Sequence, residues 1–374
     1  MLPVLAVLPQ LQAALAGNQP VALVAPPGAG KTTAVPPALL GEEWAKGGKL
    51  ILLSPRRLAA RAAAERMAEQ LGEAVGQTIG YRTRLDARTS SATRIEVVTE
   101  GIFTRMLVSD PELTGVAGVL FDEVHERSLD SDFALALTLE ARAALRPDLR
   151  LILMSATLDV AGFAAIIPGL VQVESQGRMF PVELRHIGRN SAERLEDSMA
   201  AAIRNALASE SGSILAFLPG VAEIERTAER LEARLPADTD LFRLHGAREA
   251  ADQRAAIATP PPGRRKIVLA TSIAETSITI DGVRVVVDSG QSRRPQFDRS
   301  VGLSRLVTVR SSQGAVTQRA GRAGRTAPGM AIRLWEAAET LGRVPFDPPE
   351  IMEADLAGLV LDCARWGVSD PASL

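Results

Sequence analysis

Three stretches of this 374-residue chain place residue types at spacings suited to phosphate chemistry. The first is Ala25-Pro26-Pro27-Gly28-Ala29-Gly30-Lys31-Thr32-Thr33. Small residues let backbone N–H groups surround a β-phosphate, a lysine reaches the β- and γ-phosphates, and a hydroxyl joins a Mg²⁺ shell. A helix starting at this point would add its positive dipole end. The loop opens with Ala25 where the usual pattern has Gly. An ordinary glycine turn with a surface lysine could be spelled the same way. However, the chain has four lysines, Lys31, Lys46, Lys49 and Lys266, among 42 basic residues, so a lysine here is not background usage.

The second stretch is Val119-Leu120-Phe121-Asp122-Glu123-Val124-His125-Glu126-Arg127, an apolar run ending in consecutive carboxylates. Asp122 can hold the Mg²⁺ shell and Glu123 can polarise an attacking water. The third is Thr317-Gln318-Arg319-Ala320-Gly321-Arg322-Ala323-Gly324-Arg325. Its arginines, three apart, fall on one helical face and suit a γ-phosphate. Gly inside a helix costs about 1 kcal/mol against Ala, so Gly321 and Gly324 read as clearance for a ligand or a neighbouring domain.

Short apolar runs alternate with helix-period segments, the pattern of a parallel α/β architecture. The runs are Val21–Ala25, Leu50–Ser54, Ile95–Thr99, Val116–Phe121, Leu151–Ser155 and Val171–Val173. In the second half they are Ile214–Leu218, Leu241–Leu244, Ile267–Ala270, Val283–Val287, Leu306–Val309 and Met330–Leu334. Most are continuous, as strands buried on both faces require. Arg61–Leu71, Asp132–Leu145 and Ala222–Leu235 read as helices. The pattern predicts two doubly wound domains, residues 1–178 and 179–345. Residues 346–374 are expected to form the helical start of a further, truncated domain. Residues 1–17 lack a basic n-region and are broken by Pro3 and Pro9, so they read as a short helix beside the first strand rather than a signal peptide. No apolar run reaches 18 residues, so no membrane partner is expected.

The formal net charge of −2 excludes a uniformly basic binder but hides an uneven distribution. Residues 291–325 hold eight arginines and one acid, Asp298, whereas residues 346–374 hold one arginine and six acids. A single cysteine, Cys363, excludes disulfide frameworks and Cys-rich zinc sites and fits a reducing cytosol; the expected location is cytoplasmic.

The three stretches together resemble superfamily 2 helicases of the DEAH-box group, over nearly the whole chain and in order. Ser54–Ala60 resembles the group's motif Ia, Val98–Gly101 motif Ib, Ser155–Thr157 motif III, Phe217–Gly220 motif IV and Ala270–Ile280 motif V. The Asp-Glu-Val-His spelling and the stretch from Arg293 to Leu306 look most like bacterial HrpB-type helicases. The resemblance implies two tandem RecA-like, P-loop NTPase domains. It implies ATP and Mg²⁺ as cofactors, with Gly28, Ala29, Gly30, Lys31, Thr32 and Thr33 on the triphosphate. Thr32, Asp122 and Glu123 would organise the metal. Glu123 would be the general base, Gln318 would position water, and Arg322 and Arg325 would act as arginine fingers. Arg66 matches a family arginine that stacks on adenine. Gln291 stands where the family usually has an aromatic opposite it, which implies loose nucleotide choice. His125, Ser155 and Thr157 would couple nucleotide to domain movement.

The same resemblance places Arg56, Arg57, Thr99, Gly101, Gly220 and Thr271 on the nucleic-acid backbone. It makes Gln291–Arg310 a strand-separating hairpin. Backbone contacts carry no sequence information, so low sequence specificity is expected. The implied activity is an ATP-dependent RNA helicase that moves 3′→5′ on single-stranded RNA and unwinds tailed duplexes, acting as a monomer. A DNA-directed translocase, and an ATP-driven RNA clamp that separates no strands, are the other readings.

Overall fold

The computed structural model describes residues 2–26, 28–156, 160–177, 180–190, 192–275 and 280–374, excepting the side chains of residues 160, 161 and 250. The chain divides into two compact units, Met1–Arg178 with Pro349–Leu374, and Met179–Pro348.

The first unit opens with a 3₁₀ turn, Pro3–Val7, and α1 (Leu8–Ala16). It continues through β1 (Val21–Val24), α2 (Lys31–Leu39), β2 (Lys49–Ser54), α3 (Arg57–Leu71), β3 (Ile79–Arg82), β4 (Ala87–Arg88) and β5 (Ile95–Thr99). Then follow α4 (Glu100–Ser109), β6 (Val116–Phe121), α5 (Leu129–Ala144), β7 (Arg150–Ser155), α6 (Val160–Ile166) and β8 (Val171–Glu174). The strands form one sheet in the order β4-β3-β5-β2-β6-β7-β1-β8, parallel except for the β3–β4 pair. Along β2, Leu50 and Leu52 face one apolar cluster with Leu11, Leu39 and Met67, while Ile51 and Leu53 face another with Phe103 and Phe133. That two-sided burial is why the strand reads as an unbroken apolar run.

The second unit runs β9 (Val182–His186), α7 (Leu195–Ser209), β10 (Ser213–Phe217), α8 (Val221–Glu232), β11 (Thr239–Leu244), α9 (Ala250–Ile257), β12 (Arg265–Ala270) and β13 (Val283–Asp288). It closes with β14 (Gln291–Asp298), β15 (Leu303–Arg310), α10 (Gln313–Gly321), β16 (Gly329–Arg333) and α11 (Ala337–Leu341). Its main sheet, β11-β12-β10-β13-β16-β9, is parallel throughout the described residues. The strands β14 and β15 stand apart as an antiparallel hairpin, in register from Gln291↔Arg310 to Asp298↔Leu303. So Leu306–Val309 belongs to the hairpin and not to the main sheet. Leu306 is 69% exposed.

Within residues 346–374, expected to be helical, the stretch Pro349–Leu374 groups with the first unit. The helix α12 (Ala357–Trp366) buries Cys363 in the cluster of Phe133 and Leu137. Ahead of it, the Glu350 N–H donates to Arg127 O (3.0 Å) and its carboxylate accepts from the Leu129 N–H (2.8 Å) at the start of α5. Trp366 Nε1 donates to Glu140 Oε2 (2.6 Å). These polar ties and the apolar side of α12 seat the segment on α5. No helix among the described residues is long and apolar enough to cross a membrane.

Candidate functional site

In the first unit the residues singled out from sequence gather at the C-terminal ends of β1, β2, β5, β6 and β7, where parallel sheets of this kind hold ligands. The loop after β1 is tied to the end of β7 by Ala25 N–H to Ser155 O (3.0 Å). Gly28 and Gly30 have φ of 84° and 94°, a left-handed region that glycine enters without strain. A Cβ on Gly30 would also lie 2.8 Å from Leu2 Cδ1, so a side chain here would be strained by the backbone conformation and would push the Leu2 side chain aside. The Val4 N–H donates to Ala29 O (3.1 Å), fixing the N-terminal turn against the loop. α2 then starts at Lys31 with no side-chain cap, leaving its first N–H groups to the loop mouth.

Lys31 and Thr32 meet the strand-end carboxylates directly. Lys31 Nζ lies 3.2 Å from Glu123 Oε2, both groups buried. The Thr32 hydroxyl donates to Asp122 Oδ2 (2.7 Å), and the Glu123 N–H donates to Asp122 Oδ1 (3.0 Å). Burial pushes the Asp122 carboxyl up to about 7, and the Glu123 charge adds to that; Lys31 and Thr32 oppose it. Glu123 itself sits at φ 54°, a strained conformation for a non-glycine residue, where it turns the chain out of β6. His125 Nδ1 lies 3.1 Å from Ser155 Oγ and 3.6 Å from Glu123 Oε2, so two of the residues expected to couple nucleotide to domain movement, His125 and Ser155, are in contact. Thr157 lies outside the described residues. The paired hydroxyl and carboxylate oxygens of Thr32 and Asp122 are the hard donor set that Mg²⁺ takes alongside phosphates and water.

The expected nucleic-acid residues of this unit lie at the same sheet edge. Arg57 is exposed, and Arg56 is held by Glu126, its Nη2 lying 3.2 Å from both carboxylate oxygens. Thr99 precedes α4 and leaves that helix without a side-chain cap, with Gly101 exposed in its first turn. Between them Glu100 is buried and pushed up to about 8 by that burial, while the Ser128 hydroxyl (2.8 Å) partly offsets the shift. Arg66 is exposed on α3 and paired with Glu69 (2.7 Å).

In the second unit Gly220 and Thr271 follow β10 and β12. Gly220 opens α8 without a side-chain cap, and Arg293 of the hairpin packs over it while pairing with Glu223 (2.9 Å). Residues 276–279 of the expected motif V lie outside the described residues.

The three arginines of the third stretch do not share one role. α10 ends at Gly321 and a 3₁₀ turn takes over at Arg322–Gly324. Arg319 is 1% exposed, with Nε on Glu275 Oε2 (2.9 Å) and Nη1 on Asp288 Oδ1 (3.0 Å). Burial alone would lower its pKa, but the two carboxylates hold it above the usual guanidinium range. Arg322 Nε donates to Glu275 O (2.8 Å), Arg325 is partly exposed, and Gln318 is half-buried on α10. Gly324 gives clearance within its own unit, since a Cβ there would lie 2.6 Å from Phe180 O; the expectation of a ligand or neighbouring domain does not hold for it. Asp288 and Glu275, the partners that set Arg319 apart, were missed from sequence. A carboxylate ending the apolar run Val283–Val287 was the available signal, the same pattern that marked Asp122.

Residues 8–164 match the family model of DEAD/DEAH box helicases, and residues 197–327 match that of the helicase conserved C-terminal domain. The chain is 50% identical over 373 residues to the ATP-dependent RNA helicase HrpB of Escherichia coli, covering all of this chain and 46% of that protein. It is 35% identical to the pre-mRNA-splicing factor ATP-dependent RNA helicase prp22 of Schizosaccharomyces pombe, with 99% and 32% coverage. It is 34% identical to the probable ATP-dependent RNA helicase DHX34 of Homo sapiens, with 95% and 32% coverage. A crystal structure of the E. coli DEAH/RHA helicase HrpB superposes with a TM-score of 0.95 at 50% identity, covering the whole of this chain and 47% of that one. The chain thus spans less than half the length of each of these relatives.

Proposed function

This chain belongs to the DEAD/DEAH-box helicase family, and on that premise we propose that it is an ATP-dependent RNA helicase core. In this reading it hydrolyses ATP to move along single-stranded RNA and release a paired strand, 3′→5′. The observation that carries the reading is the buried set at the ends of β1 and β6: Lys31 on Glu123 and Thr32 on Asp122. These are the parts a phosphoryl-transfer site needs, already at bonding distance.

When ATP binds, Lys31 exchanges Glu123 for the β- and γ-phosphate oxygens, and the P-loop N–H groups from Gly28 to Thr33 close around the β-phosphate. Thr32 and Asp122 would hold Mg²⁺, which would supply neutralisation of the phosphate charge. Glu123, released from the lysine, turns its carboxylate to the attacking water and takes its proton. Gln318 orients that water, and Arg322 and Arg325 answer the charge that develops on the γ-phosphate. Arg319 has no part in this step, because Asp288 and Glu275 already satisfy it. His125 joins Glu123 to Ser155, so the hydrolytic group and motif III respond together.

RNA is bound through its backbone by Arg56, Arg57, Thr99, Gly101, Gly220 and Thr271, so sequence preference is weak. The chain acts in the cytoplasm, and as a monomer. ATP hydrolysis measured with no nucleic acid, with RNA and with DNA tests the reading: stimulation by RNA above DNA supports it. Equal or greater stimulation by DNA favours the DNA-directed translocase, and no hydrolysis under any condition refutes both.

A further inference from the structure

The chain leaves the body of the second unit at Gly290, runs out and back along β14 and β15, and re-enters at Ser311. One side chain grips both points. Arg343 Nη1 donates to Gly290 O (2.8 Å) and to Ser311 O (2.9 Å). Its guanidinium carbon lies 4.2 Å from the centroid of the Trp335 ring. Gly290, at φ 70°, gives it room, since a Cβ there would lie 2.5 Å from Arg343 Nη2 and 2.7 Å from Trp335 Cε3.

Arg343 is 6% exposed, and no carboxylate pairs with it among the described residues. Burial lowers its pKa, and Asp288 only partly opposes that. A buried cation answered by carbonyls is a costly way to pack against a tryptophan, where an apolar side chain would serve. What the guanidinium adds is simultaneous hold on two separate segments.

The same root is bolted to α10 at two places. Arg319 Nη1 donates to Gln291 O (3.2 Å) as well as to Asp288 Oδ1, and that carboxylate oxygen also accepts from the Gly290 N–H (2.8 Å). At the first turn of α10, Gln313 Nε2 donates to Arg343 O (2.9 Å). The N–H groups of Gln313 and Gly314 donate to Val344 O and Pro345 O (both 2.9 Å). Hairpin root, Arg343 segment and α10 are therefore linked as one body.

We infer that Arg343 is a positioning residue that makes the hairpin move with α10, the helix that carries Gln318 and leads into Arg322. The inference rests on the assignment of those two residues to the γ-phosphate. It gives the first arginine of the third stretch, Arg319, a mechanical task.

Hydrogen exchange of the amides in residues 291–310 tests it, with and without a non-hydrolysable ATP analogue. Wild type, Arg343→Met and Arg343→Lys are compared, alongside analogue affinity and basal ATP hydrolysis. In wild type the analogue should change exchange at the hairpin root by about fivefold or more, the lower end of the usual coupling between two sites. In both variants that response should fall below about twofold, with affinity and basal hydrolysis within about twofold of wild type. Lysine keeps the charge but cannot reach both carbonyls from one planar head, so it carries the test if Met does not fold. A wild-type hairpin that binds analogue without responding, or variants that keep the full response, would overturn the inference alone. So would loss of cooperative melting in both variants, which would make Arg343 a folding residue. Failure of wild type to bind the analogue would sink the nucleotide reading, and the inference with it.

Discussion

Glu123→Gln separates two functions of one carboxylate, and the geometry predicts opposite effects on rate and affinity. The carboxylate pairs with Lys31 at 3.2 Å, with both side chains buried. Removing one partner of a buried pair costs about 3–5 kcal/mol. Two features reduce that here. The Gln carbonyl still accepts from the ammonium, and Asp122 lies close enough to share the charge. A loss of about 2 kcal/mol is expected, visible as a fall of about 4–8 °C in the melting temperature of the nucleotide-free protein. Turnover should fall by about 10²–10⁴-fold, because a general base is removed. Affinity for a non-hydrolysable ATP analogue should rise, by about three- to tenfold, because the phosphates no longer have to take Lys31 from a carboxylate. Calorimetric titration, thermal melts with and without analogue, and steady-state hydrolysis measure the three effects. Turnover within tenfold of wild type would refute Glu123 as the base. Weaker analogue binding would refute the exchange of Lys31 between carboxylate and phosphate.

Three further outcomes are expected. Glu126→Gln removes the carboxylate that holds Arg56 at 3.2 Å, so RNA affinity at low salt should rise by about two- to fivefold and the salt dependence should steepen. Fluorescence anisotropy across salt concentrations checks this, and unchanged affinity would remove Arg56 from the RNA contact. Glu100, ordinarily at 4.5, is raised to about 8, so it binds its proton more tightly folded than unfolded. Its contribution to stability is full below 4.5 and is lost as pH rises toward 8. Glu100→Gln should therefore gain on wild type in urea midpoint between pH 5 and 8, and a gap independent of pH would contradict it. Gly324→Ala sets a methyl 2.6 Å from Phe180 O and should destabilise the second unit by about 1–3 kcal/mol in chemical denaturation; an unchanged midpoint would show that β9 gives way freely.

The parts legible in the sequence are those whose environment leaves a local trace. Strands such as Leu50–Ser54 and Ile214–Leu218 are buried on both faces, so their composition alone marks them. The phosphate loop was legible because close backbone approach demands glycine at fixed spacing. The strands β3, β4 and β9 were not. The run Ile79–Arg82 is short and contains a glycine, Ala87–Arg88 is two exposed residues, and Val182–His186 is an edge strand with Glu183 and Arg185 exposed. Each is defined by its neighbour rather than by its own pattern. The same limit separates Arg319 from Arg322. Spacing alone put both on one face, and both are buried; the paired carboxylates of Glu275 and Asp288 on Arg319 are what show it to be a strut. The helix of the tail was legible from its apolar spacing, but its seat on α5 through Cys363 and Trp366 was not, because the acidic composition of the segment gives no sign of it.

Single-turnover strand release from a 3′-tailed RNA duplex tests the helicase reading most directly, with ATP, without ATP, and with Lys31→Ala. Release that requires ATP and disappears in Lys31→Ala is the expected result. Hydrolysis of ATP with no strand released would contradict it and leave an ATP-driven RNA clamp.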